Sequence, residues 1–470
     1  MSDAPNNLLK KIPAVGALLA SPGGLELRAE FGNELAAFAI RSSVGSMRKR
    51  ILGREPTASP EAASLLASAR SKLEHLRSPA SREAVNAAGI VLHTGLGRSP
   101  LCAEALDAMQ AFGGYSLLEI ETETGNRGKR EEFVERILIE LTGCEAACVV
   151  NNNASATFII LRALAEKKEV VVSRGQLVEI GGSFRMPDVM AQSGAVLREV
   201  GTTNRTYVQD YEGAINERTG ALMHVHQSNY RIHGFTAMPT LTELCEVGRR
   251  RGIPVIDDIG SGALVPLARF GIPDEPLVRQ SIEAGCDVVC FSGDKLISGP
   301  QSGIIIGRKE MIARVRKDPF FRILRPDKML LAALEATLLQ YLDWPAHEAR
   351  LPLYRILGRT TKQLEASAKA VIRKAQLPES IRAEVIESES FIGGGAVPDH
   401  ALPGRAVKLS RTDDTGGRWA EAVAAKLRLQ TPAVFGRIKE DAVLLEMRCL
   451  VDGDEKILSD AITAALREDA

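Results

Sequence analysis

Residues 291–303 read FSGDKLISGPQSG, and the runs on either side of them decide what kind of sheet this chain builds. CDVVCF (286–291) comes before and GIIIG (303–307) after, each mainly apolar and each of strand length. Strands that are apolar on both faces are buried on both, the condition of a mostly parallel sheet covered by helices. Lys295 is thereby carried to the end of a buried strand, with Ser292 three residues ahead and Asp294 beside it. A surface lysine needs no such setting.

The same texture extends to both sides. ACVV (147–150), EVVVS (169–173), ALMHVH (221–226) and PVIDD (254–258) read as further short buried strands. Phe133, Val134, Ile137, Leu138 and Leu141 mark one helix face. SATFIILRALAEK (155–167) reads as another helix, and LTELCEVGRRRG (241–252) as one that stops at glycine. Strands alternating with helices imply βαβ units and an α/β core, expected over residues 87–345. The first 60 residues read as helices, from LLKKI (8–12), GALLA (16–20) and LRAEFGNELAAFAIRSSV (27–44). Residues 61–86 read as a linker helix. Residues 346–470 read as a smaller α+β domain, with a Gly-rich turn FIGGGAVPDH (391–400) and short strands such as AVLLEMR (442–448).

A chain of 470 residues calls for two or three domains. Apolar residues at 45% and charged residues at 25% are those of a soluble globular protein. The formal net charge is +0, so no global field draws a polyanion. A nucleic-acid contact must come from a local patch, and Arg41, Arg48, Lys49, Arg50 and Arg54 form one; the plain alternative is a solvated helix face. No apolar run reaches the ~20 residues of a membrane span, and the N-terminus carries no secretion signal with a cleavage site. Seven cysteines without a CxxC read as reduced core residues rather than metal ligands, so no metal and a cytoplasmic location are expected.

Ligands of parallel sheets collect at the carboxyl ends of strands. Four strands end in polar residues there: NNNASA (151–156), QSNY (227–230), DDIGSG (257–262) and SGDK (292–295). NNNASA opens a helix, whose free amides at Asn153, Ala154 and Ser155 suit a phosphate; alone, it would be a plain N-cap. DDIGSG sets two carboxylates at a strand end, either of which can pair with a protonated ring nitrogen. SGDK offers Ser292 as a phosphate ligand and Lys295 as a desolvated amine able to form a Schiff base. Phosphate cradle, carboxylate and amine together describe a pyridoxal 5′-phosphate (PLP) site. Their order along the chain fits the aspartate-aminotransferase-like class, fold type I.

Longer blocks resemble the bacterial selenocysteine synthase family, the L-seryl-tRNA(Sec) selenium transferases. They are LHTGLGRS (92–99), VVNNNASA (149–156), EVGTTNRT (199–206), HQSNYRIHGFT (226–236), DIGSG (258–262), FSGDKLISGPQSGIIIG (291–307) and RPDKMLLAALEATL (325–338). The resemblance implies that Lys295 carries PLP and that Asp258, rather than Asp257, faces its ring. It implies that Arg98, Arg322 and Arg325 line an anion site for selenophosphate; Arg322 and Arg325 are three residues apart, a spacing that predicts one face of a helix. Thr202, Thr203, Tyr230 and Asp294 are further candidates for that pocket. The implied reaction removes the serine hydroxyl of seryl-tRNA(Sec), passes through a dehydroalanyl intermediate and adds selenium. The implied partners are the tRNA, gripped by residues 1–60, and further copies of the chain in a homodecamer. The rival readings are a small-molecule PLP lyase on the same fold and a non-catalytic RNA-binding protein with a PLP-fold core.

Overall fold

The computed structural model describes residues 5–53, 55, 59–77, 81–181, 184–412 and 418–467, with the backbone alone at 5–6 and 398–399. The chain divides into two compact units, Met1–Glu83 and Ala84–Ala470.

The first unit is helical among its described residues. Its longest helix, α1 (Asn33–Leu52), buries Ala36, Ala39, Ile40, Ser43, Val44, Met47 and Ile51, a stripe at the three-and-four spacing of one helix face. The shorter helix Pro22–Phe31 starts with Pro at its first turn, behind Ser21, whose hydroxyl accepts from the Gly24 amide at 3.2 Å. The stretch 61–86 does not act as a linker helix. It supplies α2 (Ala62–Arg77), and Leu65, Ala69 and Leu73, four residues apart, join the same core as Leu27, Ile40 and Met47. Ala84–Asn86 belongs instead to the second unit, as a strand parallel to Ala433–Phe435.

The second unit is built on a seven-stranded sheet. Its strands are β1 (Ala146–Val150), β2 (Glu169–Ser173), β3 (Val196–Val200), β4 (Thr219–Val225), β5 (Val255–Gly260), β6 (Val288–Ser292) and β7 (Gly303–Gly307). They lie in the order β1-β7-β6-β5-β4-β2-β3. Pairing is parallel from β6 through β3, and β7 runs antiparallel to both β1 and β6. The period of two explains the apolar runs: Ala147 and Val149 enter one core cluster while Ala146, Cys148 and Val150 enter the other, one on each face. β3 escaped the sequence reading because its VLREV is an edge strand, mostly exposed, and carries no apolar run.

Residues beyond 345 do not separate from the core; Ala84–Ala470 is one unit. They form a four-stranded antiparallel sheet in which β8 (Ile381–Gly393) and β9 (Ala396–Arg411) make a long hairpin. The short strand expected at 442–448 is present as Ala442–Glu446, and the hairpin of 13 and 16 residues is an addition that the sequence does not announce. Its Gly-rich tip has Gly393, Gly394 and Gly395 at φ 69°, 65° and 74°, left-handed backbone that only glycine adopts without strain. A Cβ on Gly394 would stand 2.8 Å from the Leu92 carbonyl oxygen. The Val91 and Leu92 amides donate to the Phe391 and Ile392 carbonyls at 2.8 and 2.7 Å, which docks the tip over the carboxyl ends of the central strands.

Candidate active site

The carboxyl ends of β1, β4, β5 and β6 meet at one cavity of about 420 Å³. Asn153, Ala154, Asp258, Ser292, Lys295 and Arg98 line it together, although they span nearly 200 residues of chain. Ser155, Asp294, Arg322, Arg325, Thr202, Thr203 and Tyr230, also expected at the site, do not line that cavity.

The helix α3 (Asn153–Ala165) begins directly after β1. Asn152 caps it, its Oδ1 accepting from the Ser155 amide at 2.9 Å. The Ser155 amide is thus already engaged and is no part of an open cradle. The amides of Asn153 and Ala154, at the first two helical positions, have no acceptor within the helix and stand beside the cavity.

Successive residues of β5 face opposite sides of the sheet. Asp257 points away from the cavity, where His224 Nδ1 lies 2.7 Å from one of its oxygens and Ser281 Oγ donates to the other at 2.6 Å. Asp258 points into it. Its Oδ1 accepts from Asn153 Nδ2 at 2.9 Å and its Oδ2 from Thr157 Oγ1 at 2.8 Å. Burial raises the Asp258 pKa, and these two donors oppose the rise.

Lys295 is 3% exposed. Burial first, and the Arg98 guanidinium next, push its amine down to about 8, against the pull of Asp258, Asp294 and Glu275. Its Nζ donates to the Gly395 carbonyl at 3.3 Å. The hairpin tip, read from sequence only as a turn, is thus part of the site. A Cβ built on Gly260 would lie 3.8 Å from Lys295 Nζ, 3.8 Å from Ser228 Oγ and 3.9 Å from Asp258 Oδ1, so glycine there keeps the space between amine and carboxylate open. His226, at the end of β4, also lines the cavity; burial pushes its imidazole down to about 4, so it is neutral. The polar ending of β4 was visible in the sequence, but His226 and Thr157 were not picked out.

Arg98 holds a left-handed φ of 63° and donates from Nη1 to Asp294 Oδ2 at 2.8 Å. Asp294 therefore reaches the site through Arg98. Arg322 and Arg325 do not share a helix face, because the helix Pro319–Ile323 ends between them. Arg325 pairs with Glu119 at 2.6 Å, in a cluster with Arg127 and Arg130. Thr202 hydrogen-bonds the Arg205 carbonyl at 3.0 Å and is exposed, as is Thr203. The Tyr230 hydroxyl donates to the Gly175 carbonyl.

Residues 84–451 match the family described as L-seryl-tRNA selenium transferase (SelA). The chain is 42% identical over 453 residues to the L-seryl-tRNA(Sec) selenium transferase of Carboxydothermus hydrogenoformans, covering 96% of each chain. It is 43% identical to that of Geobacter sulfurreducens, covering 98% of this chain and 99% of that one.

The chain belongs to the L-seryl-tRNA(Sec) selenium transferase family.

These selenium transferases match the chain over nearly its whole length, so the likeness takes in the N-terminal helical unit as well as the core. Among solved structures, D-glucosaminate-6-phosphate ammonia-lyase superposes with a TM-score of 0.57 at 21% identity, covering 83% of this chain and 96% of that one. That likeness concerns the fold, which is the aspartate-aminotransferase-like fold type I expected from the sequence.

Proposed function

We propose that the chain converts seryl-tRNA(Sec) to selenocysteinyl-tRNA(Sec), replacing the serine hydroxyl by selenium from selenophosphate, with PLP as its resident cofactor. One arrangement supports this most: a buried amine and a buried carboxylate face one cavity beside helix-terminal amides, in a chain of the selenium transferase family.

The residues present fit the cofactor. Gly260 leaves open the space that a side chain would fill. Asn153 Oδ1 is a buried acceptor with no protein partner among the described residues. The amides of Asn153 and Ala154, with the Ser292 hydroxyl, suit a phosphate at a helix N-terminus. Lys295 would hold the aldehyde carbon through Nζ, and Asp258 the ring nitrogen. Bound there, PLP supplies an electron sink that acidifies the α-proton of an attached amino acid. Lys295 would take that proton at Nζ and return it, and an amine near 8 is partly neutral at physiological pH. An ionised Asp258 would hold a proton on the ring nitrogen. Arg98 binds the anionic selenium donor. Arg322, Arg325, Thr202, Thr203 and Tyr230 remain candidates for substrate contacts from outside the single-chain cavity.

The tRNA body is assigned to the N-terminal unit. Arg41 and Arg48, seven residues apart on α1, share an exposed face, with Lys49 exposed beside them. Arg50 pairs with Glu55 at 2.6 Å, and Arg54 lies outside the described residues. We take the assembly to be a homodecamer. Tyr115, Leu117, Ile120 and Phe133 are exposed apolar side chains that self-association would cover. No helix among the described residues is long and apolar enough to cross a membrane. The seven cysteines are buried and unpaired, which suits the reducing cytoplasm.

The test is conversion of seryl-tRNA(Sec) against seryl-tRNA(Ser) with selenophosphate. Selenocysteinyl product from the first alone is expected. Equal conversion of both, or turnover of free serine with neither, would overturn the assignment; the second outcome would favour the small-molecule lyase.

A further inference from the structure

Asp258 lies in a place that disfavours its charge. It is 5% exposed, and the neighbouring Asp257 adds to the effect of burial. The titratable groups around it are Lys295, Asp257, the thiol of Cys290 opposite it on β6, and the neutral His226. Two neutral donors reach it, Asn153 Nδ2 and Thr157 Oγ1, one turn apart on α3 and hence on the same face of that helix. Asn153 lines the cavity. Thr157 does not; it is 1% exposed and sits behind the carboxylate.

Thr157 has one hydroxyl proton and two acceptors within reach. Asp258 Oδ2 is 2.8 Å away and the Asn153 backbone carbonyl 3.0 Å away. An ionised Asp258 draws the proton to itself. A protonated Asp258 would donate to the hydroxyl and turn Thr157 towards the carbonyl. Cys290 Sγ lies 3.8 Å from Thr157 Oγ1. Burial keeps that thiol protonated; either atom of the contact can donate, and with the hydroxyl proton drawn to Asp258 the thiol is the one with a proton to give. The chain of donors runs from Cys290 through Thr157 to Asp258, and it is matched to the ionised carboxylate.

We propose that Thr157 is a positioning residue, a hydroxyl that holds Asp258 ionised and in one rotamer, with Cys290 behind it. Its bearing on the cofactor rests on the function proposed above, whereas the hydrogen bond itself does not.

Infrared spectroscopy of the full chain without cofactor reads the protonated carboxyl of Asp258, identified by its loss in Asp258→Asn. In Thr157→Val, which keeps the volume and removes the donor, the titration midpoint should rise by about one to two pH units. Thr157→Ser restores the donor and should bring the midpoint back. Cys290→Ala should raise it by less. Equilibrium dialysis against PLP should show affinity falling about tenfold or more in Thr157→Val and recovering in Thr157→Ser. An unmoved midpoint in Thr157→Val overturns the proposal. So does the reverse pattern, with Val harmless and Ser damaging, since that is the mark of a packed methyl group. A shifted midpoint with unchanged PLP affinity would leave the hydrogen bond standing and remove the positioning role. A wild-type chain that binds no PLP would instead count against the proposed function.

Discussion

Replacing Lys295 by methionine should stabilise the cofactor-free protein, and the gain should vanish at high pH. The amine is 3% exposed, and its pKa falls from 10.5 to about 8. A folded-state pKa below the unfolded one means that the unfolded chain binds more protons between those two values. Wild-type stability therefore rises with pH from about 8 to 10.5 and is lowest below 8, where the amine is charged in both states. The gap between those two values corresponds to about 3 kcal/mol carried by the charged amine at pH 7. Methionine has similar reach and no charge to desolvate. It forfeits the 3.3 Å hydrogen bond to the Gly395 carbonyl. Allowing about 1 kcal/mol for that bond leaves a gain of about 2 kcal/mol at pH 7. Urea unfolding of the cofactor-free wild type and Lys295→Met, followed at pH 7 and 9.5, reads the difference directly. The electrostatic part should fall to about 1 kcal/mol at pH 9.5 and go on shrinking above it. A variant less stable than wild type at pH 7, or a difference that does not change with pH, would refute the reasoning. Stability held back at a buried amine is what a functional site, rather than a packing site, displays.

Other outcomes follow from the same geometry. Borohydride reduction of the PLP-loaded protein should label Lys295 alone, seen by peptide mass spectrometry, and a label on another lysine would remove it from its role. Asp258→Asn should keep PLP bound but slow α-proton exchange by about two orders of magnitude or more. Asp257→Asn, whose partners are His224 and Ser281, should lower stability and leave exchange intact. Arg98→Ala should raise the apparent KM for selenophosphate without changing tRNA affinity; an equal loss of both would make Arg98 a tRNA contact. Arg41→Glu with Arg48→Glu should weaken tRNA binding and flatten its dependence on log salt by about one unit per lost phosphate contact, leaving PLP binding unchanged.

The core was legible because its strands are buried on both faces. β2, β5 and β6 could be read as apolar runs, and their polar endings marked the ligand side of the sheet. The long hairpin was not legible. Its ESES (387–390) is a run of four polar residues and its PGR (403–405) carries proline and glycine, so neither strand shows an apolar run to announce it. The linker helix was misassigned because a stripe of Leu65, Ala69 and Leu73 says that a helix is packed but not against what. Arg322 and Arg325 stand three residues apart, and the spacing suggested one helix face; the helix stops at Ile323.

By itself the sequence determined which strands are buried, that Lys295 closes one of them, and that Asp257 and Asp258 must face opposite ways. Those are local consequences of a two-residue period and a helix-opening loop, and they need no knowledge of neighbours. Which of the two carboxylates meets the amine was decided by the side of β5 on which α3 packs, and therefore by tertiary structure. So was the role of the Gly395 carbonyl, 100 residues from Lys295 in the chain, and that of Thr157, 101 residues from Asp258. Desolvation is the physical reason. The lowered pKa of Lys295 and the raised pKa of Asp258 are set first by burial under elements distant in the chain, and no residue carries that burial in its own sequence neighbourhood.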